Sequence, residues 1–144
     1  METKGRILGV DPGEKRIGLA ISDPLGITAQ GLPTILVTSI GETIQKIGEA
    51  ARRLEVVQMV IGLPLNMDGS EGEQAQKSRK LGQRLEADLG LPVIYWDERL
   101  TSLMAEAAML EGDLSRTRRK EESDRLAAQL ILQNYLDGEG MKNL

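Results

Sequence analysis

Arg6-Ile7-Leu8-Gly9-Val10-Asp11-Pro12-Gly13-Glu14-Lys15-Arg16-Ile17-Gly18-Leu19-Ala20-Ile21-Ser22-Asp23 holds two apolar runs of strand length with a break between them. The first, residues 6–11, ends in a carboxylate and stops at Pro12-Gly13; the second covers residues 17–23. Gly13-Glu14-Lys15-Arg16 between them is short enough for a hairpin. A third extended segment over residues 27–37 is rich in Ile, Thr and Val, and its Gly31 and Pro33 mark a bend or an edge position. The spacing predicts a three-strand antiparallel meander.

Beyond it the hydrophobic period changes. Ser39 and Glu42 have capping-box spacing, and Ile40, Ile44, Ile47, Ala51 and Leu54 share one face of a helix. Residues 56–61 form a continuous apolar run of strand length, and residues 62–69 read as a loop. Ser70 with Glu73 predicts the cap of a second helix, which carries Leu81, Leu85 and Leu89 and ends at Gly90. Lys77, Arg79, Lys80 and Arg84 on that helix read as a solvated face. A fifth strand covers residues 92–96, a short helix residues 102–111 up to Gly112, and a last helix residues 119–137 up to Gly138. This order implies an α/β fold in one domain over residues 1–144. Its mixed five-stranded sheet is the antiparallel meander plus two crossover strands, flanked by helices.

Composition removes whole classes of chemistry. Among 144 residues there are 18 Lys and Arg against 22 Asp and Glu, a net charge of −4, with no histidine and no cysteine. Disulfides, thiol nucleophiles, Cys/His zinc sites and Ser-His-Asp triads are excluded. Carboxylates, or a metal held by oxygen ligands, remain. With Tyr95, Trp96 and Tyr135 as the aromatic residues, the core must be aliphatic and a base-stacking platform is disfavoured. No apolar run approaches the ~20 residues that span a bilayer, and Met1-Glu2-Thr3-Lys4 opens no signal peptide. The expectation is a cytoplasmic protein without a membrane partner.

Three acidic positions stand out. Asp11 ends the first strand; Asp-Pro-Gly is also common turn chemistry, so it reads either as a turn cap or as a ligand. Asp124 continues the apolar stripe of Ala128, Ile131 and Tyr135, where a lone ionised carboxylate costs several kcal/mol. It is either solvated in the first helical turn, paired with an arginine or lysine, or bound to a cation. Asp97-Glu98 closes the fifth strand, and alternation lets only one of the two face Asp11. Converged carboxylates repel unless a divalent ion holds them, and all-oxygen ligation favours Mg²⁺ or Mn²⁺. Two such ions about 4 Å apart activate water and stabilise the leaving oxygen in phosphodiester hydrolysis. Lys15, Arg16, Arg99, Arg116, Arg118, Arg119 and Lys120 flank these acids and would suit a phosphate backbone. The backbone at Gly13, Gly62, Gly69 and Ser70 could approach another phosphate.

The stretch from Val10 to Asp23 resembles the opening signature of the YqgF/RuvX family of bacterial RNase H-like nucleases. The resemblance continues through Gly62-Leu63-Pro64-Leu65-Asn66-Met67-Asp68-Gly69-Ser70, Asp97-Glu98-Arg99-Leu100-Thr101-Ser102, and Asp124 with Ala127-Ala128 and residues 131–136. It implies an RNase H-like fold and metal carboxylates at Asp11, at Glu98 or its neighbour Asp97, and at Asp124. It further implies maturation of the 5′ end of pre-16S rRNA, with Holliday-junction resolution as the alternative, acting as monomer or homodimer. Related resolvases carry a central glutamate on the strand after the first helix, where this chain has Ile61-Gly62-Leu63-Pro64, so junction cleavage does not carry over by analogy. Two competitors remain: an actin-like kinase or ATPase, for which the chain is too short, and a non-catalytic ribosome- or nucleic-acid-binding module.

Overall fold

The computed structural model describes residues 5–98 and 116–142, the side chains of 116–123 and 139–142 excepted. The expected helix over 102–111, Arg99, and the side chains of Arg116, Arg118, Arg119 and Lys120 therefore lie outside the described residues. Chain order is β1 (Arg6–Asp11), β2 (Arg16–Ser22), β3 (Ala29–Leu36), α1 (Ile40–Arg53), β4 (Val56–Leu63), α2 (Glu73–Leu89), β5 (Val93–Asp97) and α3 (Arg116–Lys142). The strands form one sheet in the order β3-β2-β1-β4-β5. β1 and β2, and β2 and β3, are antiparallel; β1 and β4, and β4 and β5, are parallel. This is the expected meander with two crossover strands, and Pro33 sits on the edge strand, where its missing N–H breaks no inner ladder.

Alternation along the strands splits the core into two layers. Leu8, Val10, Ile17, Leu19, Met59 and Ile61 pack against α1 and α2 through Ile44, Ile47, Leu81 and Leu85. Ile7, Ala20 and Val60 pack against Ala128, Ile131, Leu132 and Tyr135 of α3. The inner strands are buried on both sides, so they read as continuous apolar runs. Small residues let α3 lie flat on the sheet: a Cβ at Gly9 would come within 2.9 Å of Leu132 Cβ. Gln133 fastens the helix to the β2–β3 loop and β3, accepting from Ala29 N at 2.9 Å and donating to Ile27 O at 2.9 Å. Trp96 meets Tyr135 edge-on at 5.6 Å, and Gln58 donates to the Tyr135 hydroxyl at 2.9 Å.

Several boundaries differ from those expected. β4 runs on through Gly62 and Leu63, which pair with Trp96 and Asp97, so the loop starts later. Gly72, not Ser70, is the N-cap of α2; Ser70 instead joins a turn, its N–H donating to Asp68 Oδ1 at 2.9 Å. The short side chain of Asp68 outcompetes the helix for that amide. At the far end Gly90 takes the left-handed conformation and closes α2 as expected. Gly138 does not end α3, which runs to Lys142. Gly138 keeps a negative φ, and a glycine stops a helix sharply only when it turns left-handed. On α1, Ser39 accepts from Glu42 N at 3.2 Å, and Ile44, Ile47 and Ala51 are buried. Ile40, assigned to the same stripe, is exposed. It is the first residue of the helix, beyond the edge of the sheet's cover.

Candidate active site

The parallel register carries β1 and β4 to the same end of the sheet, where Asp11 and the chain just past β5 meet. Asp11 has the parity of Ile7 and Gly9, so it faces α3. Glu98 has the parity of Ile94 and Trp96, which also pack on the α3 side. Asp97 has the parity of Tyr95, on the opposite layer, and is exposed. Glu98, not Asp97, therefore shares a face with Asp11. A period of two had left the choice open; the register of β5 on β4 decides it.

Glycine makes the room. A Cβ on Gly62 would overlap the Glu98 carboxyl and lie 2.8 Å from Ile131 Cδ1. Glu98 thus occupies space that any other residue at position 62 would fill. It is 7 % exposed, and its Oε2 is buried with no hydrogen-bond partner. Burial, repulsion from Asp11, a hydrogen bond with Asp11 and repulsion from Asp97 push its pKa up to about 9. Burial and the neighbouring Asp11 thus make the Glu98 carboxyl hold its proton more tightly than an ordinary carboxylic acid. A carboxylate held in this way is a recurring sign of a functional site.

Asp124 is delivered by backbone packing. Asp11 pairs with Gly18 across the β1–β2 ladder, and a Cβ on Gly18 would overlap the Asp124 carbonyl oxygen. The absent side chain lets the α3 backbone settle directly beside the residue opposite Asp11. Asp124 is half-buried, and Ala128, Ile131 and Tyr135 below it are buried, as the stripe required. Among the described residues, no three Asp or Glu side chains are grouped closely enough to hold a metal ion as they stand. The structure assembles Asp11 with Glu98 and brings the α3 backbone at Asp124 to the same end of the sheet.

Of the expected cationic residues, Arg16 has the parity of Gly18 and so faces α3 on the hairpin beyond Asp11, while Lys15 is exposed in the turn. Gly13 serves the turn itself: a Cβ there would overlap the Arg16 carbonyl oxygen. Three backbone positions expected to greet phosphate are otherwise engaged. Gly69 N donates to Asn66 O, Ser70 N donates to Asp68, and Gly62 is buried beneath Glu98. One feature escaped the sequence reading altogether. Lys77, Lys80 and Arg84 do not merely face solvent; with Thr43, Ser78 and Leu81 they line a cavity of about 510 Å³ on the α1–α2 side, bounded by Pro12 and Gly13. Their i, i+3 and i+4 spacing placed them on one helical face, but α1 opposite them could not be foreseen.

Comparison with known proteins agrees with this architecture. The family described as "RuvX: Holliday junction resolvase" matches residues 5–138. Curated relatives named "Putative pre-16S rRNA nuclease" include one from Streptococcus sanguinis, 50 % identical over 135 residues, covering 92 % of this chain and 97 % of that protein. Another, from Heliobacterium modesticaldum, is 48 % identical over 132 residues, covering 92 % and 89 %. Among solved structures, Thermus thermophilus RuvC bound to a Holliday junction aligns at a TM-score of 0.59 with 18 % identity over 94 % of this chain and 95 % of that one. The fowlpox virus Holliday junction resolvase aligns at 0.57 with 11 % identity over 93 % and 99 %. At such identities these structures establish the shared fold alone, whereas the sequence match across nearly the whole chain establishes descent: the chain belongs to the RuvX family.

Proposed function

We propose that this protein is a divalent-cation-dependent nuclease that hydrolyses phosphodiester bonds in precursor 16S rRNA, within one domain and in the cytoplasm. The observation that carries the reading is the pairing of half-buried Asp11 with buried Glu98, one Glu98 oxygen being left unpartnered. A pair of this kind gains little stability by itself; it suits a site that a cation completes. The donors fit Mg²⁺ or Mn²⁺: Asp11 and Glu98 would hold the ions with Asp124 as the third carboxylate, all hard oxygens with no competing histidine or thiol. When bound, the cations supply a low-pKa water and stabilise charge on the leaving oxygen.

The chain's own residues do the rest. Glu98, whose carboxyl holds its proton tightly beside Asp11, would have to release it before ligating a cation, so activity is expected to rise with pH. Arg16 and Lys15 on the hairpin, together with Arg99, Arg116, Arg118, Arg119 and Lys120, orient the phosphodiester by charge. Relatives named for pre-16S rRNA support RNA of the ribosomal precursor as substrate. Four-way DNA junctions are the second reading, supported by the family description. Cleavage of precursor rRNA and of a junction, measured side by side with purified protein and Mn²⁺, separates the two. Asp11→Asn is expected to keep the fold and lose at least about a hundredfold in rate, the scale of removing one electrostatic catalytic group. Activity that survives chelation, or full activity in Asp11→Asn, would overturn the proposal.

A further inference from the structure

The α1–α2 cavity stands on the opposite side of the sheet from Asp11 and Glu98, yet both adjoin the β1–β2 turn. Pro12, Gly13 and Glu14 form part of its wall. Gly13 follows Asp11 by two residues, a reach of at most ~7 Å. At ~3.4 Å per nucleotide along a stacked strand, that span from Asp11 to the near wall of the cavity corresponds to about two nucleotides. Its walls are apolar, formed by Ile17, Val37, Ile40 and Leu81. Ile40 and Val37 are exposed at its mouth. Thr43 lines it while only 3 % exposed, and its hydroxyl is buried without a hydrogen-bond partner. A buried hydroxyl left without a partner costs about 1–3 kcal/mol, which a polar ligand edge would recover. The rim is cationic, with Lys77, Lys80 and Arg84 on one face of α2. Glu14 is on the same wall, its carboxylate accepting from Gln74 Nε2 at 2.6 Å, and Lys77 reaches Glu73 at 3.8 Å, a weak exposed pair.

Apolar walls, one buried hydroxyl without a partner and a positive rim match a nucleotide: a flat, weakly polar base joined to an anion. The volume, about 510 Å³, is within the range of small-molecule sites. We infer that this cavity receives one unpaired nucleotide of the nucleic-acid substrate, next to the scissile phosphate, with its base among Ile17, Ile40, Leu81 and Thr43 and its phosphate on Lys77, Lys80 and Arg84. The inference rests on the nuclease reading for the identity of the strand. The cavity thereby selects single-stranded or frayed substrate over continuous duplex, because a base still paired in a helix cannot enter it.

The test is a binding experiment on the full-length protein in chelator, so that no cleavage occurs. The probes are a short single-stranded oligoribonucleotide, the same oligomer with an abasic residue, and uridine 5′-monophosphate, followed through backbone amide shifts. The oligomer is expected to move the amides of Gly13, Thr43, Ser78 and Leu81, and the abasic version to bind about tenfold more weakly, the loss of one base contact. Lys77→Glu with Lys80→Glu, both exposed, should weaken the oligomer about tenfold or more at ~0.1 M salt and flatten its salt dependence. Thr43→Val, equal in shape, should bind but lose preference among homopolymers. Equal affinity for the abasic oligomer, or shifts confined to the α3 side, would overturn the inference. So would a mononucleotide that binds as tightly as the oligomer, since the cavity would then serve a free nucleotide. Failure to cleave any RNA when cations are supplied would remove the nuclease reading but leave this binding result standing.

Discussion

Replacing Glu98 by glutamine is expected to stabilise the protein when divalent cations are absent, although it removes a residue central to the proposed chemistry. Folding keeps a proton on Glu98 up to about pH 9, whereas the unfolded chain releases it near 4.5. Between those values the folded state binds more protons than the unfolded one, so stability falls as pH rises. Each pH unit costs about 1.4 kcal/mol, which gives about 3 kcal/mol lost by about pH 7. Glutamine keeps the shape and the ability to donate to Asp11 but cannot ionise. Urea unfolding in chelator should therefore find the variant and wild type alike near about pH 5, and the variant ahead by about 3 kcal/mol near neutrality. For a domain of this size that is about 10 °C in Tm. Adding Mn²⁺ should raise the stability of wild type and leave the variant unmoved, because only the ionised carboxylate gains a partner. A variant less stable than wild type at about pH 8 in chelator would refute the reasoning, since it would mean that Glu98 is not held neutral by its burial.

Gly62→Ala should displace Glu98 and press on Ile131, costing about 1–3 kcal/mol in urea unfolding while cleavage falls far more than stability does. Equal loss of both would mean that Gly62 serves packing alone. Gly18→Ala sets a methyl against the Asp124 carbonyl and must push α3 away; a thermal shift of several degrees and lost activity are expected, and an unchanged Tm would contradict the close approach. Asp23 accepts from Ile27 N at 2.7 Å and Thr28 N at 2.8 Å, and mainly the Thr28 bond holds its pKa below the usual carboxylate value. Asp23→Ala should loosen the β2–β3 loop by about 1–3 kcal/mol with kcat little changed, read by denaturation beside a cleavage assay. Because that pKa is depressed in the folded state, the Asp23 contribution should be present near neutrality and fade as pH falls through the acid range.

The meander, the two crossover strands and both helical faces were legible in the chain because strand and helix periods of burial are local. The interiors of Arg6–Asp11 and Arg16–Ser22 are continuous apolar runs, and the Ala128, Ile131 and Tyr135 stripe of α3 needed only counting. Helix ends were less legible where two local signals competed, as when Asp68 took the Ser70 amide and left Gly72 to begin α2. The candidate acids were also visible, but the choice between Asp97 and Glu98 was not. That choice depends on how β5 registers against β4, which is a contact between segments more than thirty positions apart. The same holds for Gly18 and Gly62, whose missing side chains matter only because Asp124 and Glu98 arrive from elsewhere in the chain. Sequence alone determined which residues could bear charge at the ends of strands and which faces had to be buried. Tertiary structure alone decided that Glu98 is buried beside Asp11, and that Lys77, Lys80 and Arg84 border a cavity. Burial and electrostatic coupling depend on distance in space, and local chain pattern does not encode it.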